Sequence, residues 1–215
     1  MKLNKTNIAI IVVVLFHLVG IAGFFIPSAQ ALFIKIVPFH LLLMLGVVVY
    51  SHNKLDSRFL QFIALIFTAG FAIEWLGVHM HLIFGDYLYG ATLGFKFNYV
   101  PLIIGVNWVL LIYSTGVLMQ YLPFQNGNLK VMVGALVLVL LDFLIEPVAV
   151  RFDYWHWLSI NTTLTAPLEN YLGWFLVSGL MLGIFQAFKF NKQSMVALVL
   201  LAAQFVFFTA MHWVV

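Results

Sequence analysis

Seven apolar runs of about twenty residues each dominate this chain, at about 8–26, 31–50, 60–83, 99–121, 130–148, 170–189 and 195–213. A helix needs roughly 17–25 apolar residues to cross the hydrocarbon core of a bilayer. Every backbone N–H and C=O in that core must be bonded internally, so such runs form helices. Charge agrees: 8% of the 215 residues are charged, where a soluble domain carries about 25%. Lipid must therefore be the solvent for much of the exterior. The expected fold is an all-α polytopic membrane bundle of about seven transmembrane helices, organised as one integral membrane domain over 1–215. Polar or turn-rich breaks separate the runs at Ser51-His52-Asn53-Lys54, Gly85-Asp86, Gln125-Asn126-Gly127-Asn128 and Asn191-Lys192-Gln193. There is no internal repeat and no low-complexity tract.

Lys and Arg in short loops orient such a bundle. With a cytoplasmic N-terminus, the inner side holds Lys2, Lys5, Lys54, Arg58, Lys130, Lys189 and Lys192, and the outer side Lys35, Lys96 and Arg151. That bias predicts N-in and C-out. The basic residues form no stripe, which argues against nucleic acid as a partner. The first run, with Lys2 and Lys5 before it and Ala29-Gln30-Ala31 after it, resembles a signal peptide, but it exceeds the usual signal core in length. It is expected to stay as a helix, and its loss would leave the orientation of the others unchanged.

The seven acidic residues are Asp56, Glu74, Asp86, Asp142, Glu146, Asp153 and Glu169. Asp56 lies between Lys54 and Arg58 and reads as a solvated charge. The other six fall on the predicted outer side, and Glu74, Asp142 and Glu146 lie inside apolar runs. An ionisable group there costs a few kcal/mol to insert and is a functional candidate by default. At about 1.5 Å per residue, Glu74 sits roughly 12 Å and Asp142 roughly 9 Å below the outer ends of their runs. Asn107 lies at comparable depth, and Asp142 and Glu146 are four apart and share a helix face. Three runs thus place carboxyls and an amide in one layer. A polar network that only holds helices together would look similar.

The loops above this layer are rich in glycine and aromatics, Phe84 to Pro101 and Phe152-Asp153-Tyr154-Trp155-His156-Trp157. Irregular backbone at that depth is tolerated where protein or a cavity covers it, so these loops are expected to fold over a cavity. An interfacial aromatic belt is the alternative. Trp75, Trp108 and Trp174 lie within runs, near the acids. The histidines are scattered. His79 and His81 are two apart and point to nearly opposite helix faces, so a metal site with Glu74 is disfavoured. With no cysteine, no His box, no acid-rich diphosphate motif and no Gly-rich dinucleotide motif, no cofactor and no metal are expected.

A carboxylic acid in an apolar site can hold its proton and give it to a weak base, and aromatic faces stabilise a cation. These parts suit alkene hydration: protonation of a trisubstituted double bond, a tertiary carbocation, and capture by water held on an amide or carboxylate. The substrate must be lipophilic.

Five separated motifs carry a resemblance. They are Glu74-Trp75-Leu76-Gly77-Val78-His79; Phe84-Gly85-Asp86-Tyr87-Leu88-Tyr89-Gly90; Asn107-Trp108; Asp142-x-x-x-Glu146-Pro147 followed by Tyr154-Trp155-His156-Trp157; and Pro167-x-x-Asn170-x-x-Gly173-Trp174. Together, over about residues 60–180, the chain resembles the carotenoid biosynthesis membrane family that includes bisanhydrobacterioruberin hydratase and carotenoid 1,2-hydratase. Thr165-Ala166 stands where a tyrosine–glycine-like pair is expected. The resemblance implies hydration of the acyclic ψ end of a C40 or C50 carotenoid in a bacterial or archaeal cell membrane, with water as co-substrate and other carotenoid enzymes as possible neighbours. It implies Glu74, Asn107, Asp142 and Glu146 as the polar centre. Trp75, Tyr89, Trp108, Trp155, Trp157, Asn170 and Trp174 become the substrate-binding wall. Asp142 is the expected acid, because two carboxyls one turn apart favour keeping one protonated; Glu74 would hold the water. The rival readings are a membrane lycopene-type cyclase, suggested by Pro167-Leu168-Glu169-Asn170, and a lipid binder or transporter without chemistry.

Overall fold

The structure, a computed structural model, describes residues 4–158 and 166–215; Lys2 and Thr165 lie outside them. Among the described residues there are seven helices: α1 (Lys5–Phe25), α2 (Pro27–Ser51), α3 (Ser57–Met80), α4 (Ile103–Tyr121), α5 (Gly127–Arg151), α6 (Leu168–Ala187) and α7 (Val196–Met211). Four short strands join them: β1 (Tyr87–Tyr89), β2 (Lys96–Phe97), β3 (Val100–Pro101) and β4 (Trp155–Trp157). Six helices are long and apolar enough to cross a membrane; α7, with 16 residues, is shorter. The all-α membrane bundle expected from the apolar runs is the architecture found.

Helix ends moved where local chemistry overrode hydropathy. Pro27 occupies the first turn of α2, where its missing N–H costs nothing, so only Ile26 separates α1 from α2. Residues 99–102 lie outside α4, because Val100 and Pro101 pair with Lys96 and Phe97 instead. An acid caps the start of α3: the Asp56 carboxylate accepts from the Phe59 N–H at 3.1 Å, satisfying one of the donors that a first helical turn leaves free.

Helix α4 is the axis of the bundle. Of its span, 83% is buried, against no more than 44% for any other long helix. It packs against α2, α3, α5, α6 and α7. It therefore holds Asn107 and Trp108 at the centre of the molecule, with α3 and the α5–α6 pair on its flanks. The strands were not expected from hydropathy. β1 and β4 pair antiparallel, Tyr87 opposite Trp157 and Tyr89 opposite Trp155. They come from two separate interhelical loops, and each supplies the hydrogen-bond partners the other's backbone lacks.

The orientation yields a first prediction. A reporter fused after Val215 is expected on the outer side, and one inserted at Asn126 in the cytoplasm. Reversed signals at both positions contradict the N-in reading. A second concerns the opposite end of the bundle. The His52 ring stacks on Phe59 with centroids 3.6 Å apart, and its Nδ1 lies 2.8 Å from the Tyr113 hydroxyl. Burial lowers its pKa from 6.5 to about 4, against the opposing pull of Asp56. Unfolded chain takes up this proton near pH 6.5 and folded chain only near pH 4, so stability from neutral His52 is lost as pH falls through that window. The melting temperature in detergent should fall between pH 6.5 and 4, and less steeply in His52→Gln; an equal slope in both contradicts the assignment.

Candidate active site

Alternation along a strand sends every second side chain to one face. In β1 that face carries Tyr87 and Tyr89, both buried, with Leu88 outward; in β4 it carries Trp155 and Trp157, with His156 outward. The β1–β4 pair therefore lies over the helix ends with four aromatic rings directed inward. Each ring ends in a polar hydrogen, and each hydrogen finds a carboxylate. The hydroxyls of Tyr87 and Tyr89 donate to Glu74 Oε2 at 2.6 and 2.7 Å. The indole N–H groups of Trp155 and Trp157 donate to Glu146 Oε2 at 3.2 and 3.0 Å. Burial, and then the Glu74 charge, push both tyrosines well above their usual range. They keep their protons and act as donors.

The lid is pinned from outside. Asp153 Oδ2 accepts from the Ala91 N–H at 2.9 Å, and the Thr92 hydroxyl donates to the Asp153 carbonyl at 2.6 Å. Gly90 N–H donates to the Tyr154 carbonyl at 2.9 Å. A Cβ on Gly90 would stand 2.1 Å from the Asp153 carbonyl oxygen, so only glycine lets the two loops meet this closely.

Below the lid, Trp108 donates its N–H to Glu74 Oε1 at 2.9 Å and stacks on Trp174 with centroids 4.7 Å apart. Gly70, one turn before Glu74 on α3, makes this possible: a Cβ there would lie 2.6 Å from Trp108 Cβ. Both oxygens of Glu74 thus accept from protein donors. On the other side, Asn170 Nδ2 donates to Asp142 Oδ2 at 2.7 Å and to Glu146 Oε1 at 3.1 Å. One amide bridges the two carboxyls of α5. Asp142 Oδ1 is buried without a hydrogen-bond partner.

Two cavities meet here. A small one of about 30 Å³ is lined by Glu74, Tyr87, Tyr89, Asn107, Trp108, Glu146 and Asn170, with Trp155, Trp157 and Trp174 among its aromatic walls. A water molecule needs roughly 10–15 Å³ of such volume and two to four polar partners. The second, of about 340 Å³, runs between α1, α2, α4, α5 and α7 and is lined mostly by Phe, Leu, Ile and Val. Ile104, Asn107 and Trp155 line both. The apolar space therefore ends on the polar one, with the Asn107 amide at the junction.

Of the residues expected from sequence, Glu74, Glu146, Asn107, Trp108, Tyr89, Trp155, Trp157, Asn170 and Trp174 line the small cavity. Two stand apart. Asp142 is fully buried behind Asn170 and lines neither cavity. Trp75 stacks on His79, centroids 4.5 Å apart, and lines neither cavity either. Sequence reasoning left out Tyr87 as a site residue, although it stands two residues from Tyr89, the strand spacing that shares a face. It also left out the large cavity. The histidines are occupied elsewhere: His79 Nδ1 lies 2.9 Å from the Trp75 carbonyl, and His81 pairs with Asp86 at 2.6 Å. Among the described residues no three His, Asp or Glu side chains are grouped so as to hold a metal ion.

Long apolar helices around carboxyls buried beside an apolar cavity define the class, a polytopic helical membrane bundle whose apolar cavity ends on polar groups. The model of the carotenoid biosynthesis protein family matches residues 33–215. The chain belongs to that family, and a carotenoid is the lipophilic substrate that membership implies. The match takes in α7 and about three quarters of α2, which help to wall the large cavity and lie outside the five motifs. No curated protein and no solved structure matches the chain.

Proposed function

We propose that the protein hydrates the terminal 1,2 double bond of an acyclic carotenoid end group by acid catalysis. The observation that carries this reading is the junction of the two cavities. An apolar space fit for an isoprenoid end stops at a small space with room for water, walled by carboxyls and indoles.

The Asp142–Glu146 pair is the acid in this reading. Indole N–H groups can only donate, so Glu146 Oε2 is an acceptor, whereas Asp142 Oδ1 has no protein donor facing it. In this reading the two carboxyls hold one proton between them: Asp142, one turn away, shares it with Glu146, and Glu146, which lines the small cavity, gives it to substrate. The proton adds to the less substituted alkene carbon. The resulting tertiary cation lies among Trp108, Trp155, Trp157 and Trp174, whose faces attract it. Water held by Glu74 and Asn107 attacks the cation with an oxygen lone pair and gives up a proton to Glu74. Water in the small cavity, which Glu74 and Glu146 share, carries that proton back to the pair. The sum is one water added and no electrons exchanged, so the reaction calls for no redox cofactor.

Expression in cells that accumulate lycopene tests this directly: the pigment should gain the mass of one water per hydrated end. A pigment of unchanged mass but altered absorption indicates cyclisation, the second reading. Asn170, where the cyclase-like stretch would carry a second acid, disfavours it, because its amide is already committed to both carboxyls.

A further inference from the structure

Basic residues crowd the end of the bundle that the N-in reading places in the cytoplasm, and most of them are already held. Lys5 lies 5.0 Å over the Tyr50 ring, and Lys192 lies 4.0 Å over the Tyr121 ring. Lys54 pairs with Asp56 at 3.6 Å, and Arg58 donates to the Phe188 carbonyl. Lys130 and Lys189 differ. Neither has a hydrogen bond, an ion pair or a ring contact through its side chain among the described residues.

These two lysines line one cavity. It holds about 270 Å³ between the end of α4, the start of α5 and the end of α6. Lys130 stands at the start of α5, and Lys189 directly follows the Phe188 cap of α6. Both therefore lie where the helices leave the hydrocarbon core. Gln186 Nε2 donates to the Gly127 carbonyl at 2.8 Å beside the cavity. The floor is apolar, with Met119, Leu182 and Phe185 all buried. No carboxylate lines this space. The one acid at this end, Asp56, is taken by Lys54 and by the start of α3.

Two cations without a counter-charge above an apolar floor complement an amphiphile with an anion at one end. Phosphate oxygens accept, and ammonium N–H groups only donate. Basic pockets between membrane helices on the cytoplasmic side take anionic headgroups in this way. A free phosphate would leave the floor uncovered, whereas the glycerol and first methylenes of a phospholipid would cover it. We propose that this cavity binds one anionic phospholipid, its phosphate held by Lys130 and Lys189 and its glycerol end laid on Leu182 and Phe185. The headgroup ties together the inner ends of α5 and α6, the helices that carry Asp142, Glu146 and Asn170. The site is separate from the carboxyls and stands whether or not the protein hydrates its substrate.

Lipid binding to the full chain in detergent tests it, read by native mass spectrometry and by the melting temperature. Phosphatidylglycerol is compared with phosphatidylcholine of the same acyl chains and with glycerol 3-phosphate. At low salt phosphatidylglycerol is expected to bind roughly 25-fold tighter than phosphatidylcholine, about five-fold for each lysine, and to raise the melting temperature. Glycerol 3-phosphate at matched concentration should neither displace it nor raise the melting temperature. Lys130→Gln and Lys189→Gln should each lower the lipid ratio about five-fold, and Lys5→Gln, at the same end of the bundle, should leave it unchanged. Equal affinity for the two lipids in the wild-type protein overturns the proposal, and that comparison decides even where a variant fails to fold. A preference that survives with both lysines replaced overturns it too. So does one that falls equally in Lys5→Gln, which marks diffuse attraction to the whole basic end. Displacement by glycerol 3-phosphate makes the occupant a soluble phosphate compound and removes the lipid.

Discussion

Asp142→Asn protein is expected to fold, to bind carotenoid and to make no hydrated product, a loss on the order of 10²–10⁴ in rate. The asparagine keeps the side-chain shape, and its oxygen can still accept from Asn170, as Asp142 Oδ2 does now at 2.7 Å. It cannot share a proton with Glu146, the carboxyl that lines the small cavity. Glu146→Gln should fall to a similar level. Because Asn170 ties the two carboxyls into one unit, the double variant should be little worse than either single one. If the pair served only to hold α5 against α6, the amide would bond across the interface equally well and activity would follow the amount of folded protein. Well-folded Asp142→Asn with normal product yield removes Asp142 from the acid.

Glu74→Gln carries the second large effect. A glutamine fits the same place: its oxygen can take the Trp108 N–H, and its amide can donate to the hydroxyls of Tyr87 and Tyr89, which can turn to accept. Folding should survive, but the negative charge that faces the cation and receives the proton of water is gone. Loss of one such preorganised group typically costs about 10²–10³ in turnover. The expected order is Asp142→Asn, then Glu74→Gln, then Trp108→Phe, which keeps a ring face against Trp174. Initial rates per folded protein, checked by size-exclusion chromatography, measure this. A Trp108→Phe loss larger than that of Glu74→Gln would shift the main role from the carboxylate to the indole.

The acids were legible in the sequence because a carboxyl inside an apolar run has no ordinary reason to be there. Glu74, Asp142 and Glu146 stood out on that ground alone, and the Asn107 amide joined them by its comparable depth. Their rank was not legible. Which carboxyl faces the small cavity depends on how α5 rotates against α6, and with the bridge from Asn170 in place Glu146 lines the cavity and Asp142 does not. The strand pairing was hidden for a different reason. Tyr87 and Trp157 lie 70 residues apart, and a three-residue strand leaves no periodic signal long enough to read. The large cavity left none either, because Phe16, Phe39 and Leu43 are the same residue types that face lipid elsewhere. His17 and His40 stand within apolar runs, but the histidines read as scattered along the chain, and only the packing of α1 on α2 brings these two rings together in the cavity wall.

The central claim is that water is added across a carotenoid double bond by protein groups alone. Purified protein, treated with chelator and given an acyclic carotenoid in water enriched in oxygen-18 without flavin or nucleotide, puts that claim to its most direct test. The account predicts a tertiary alcohol carrying one heavy oxygen per hydrated end. Product lacking the heavy oxygen, or activity that returns only when one particular metal is restored, would contradict it.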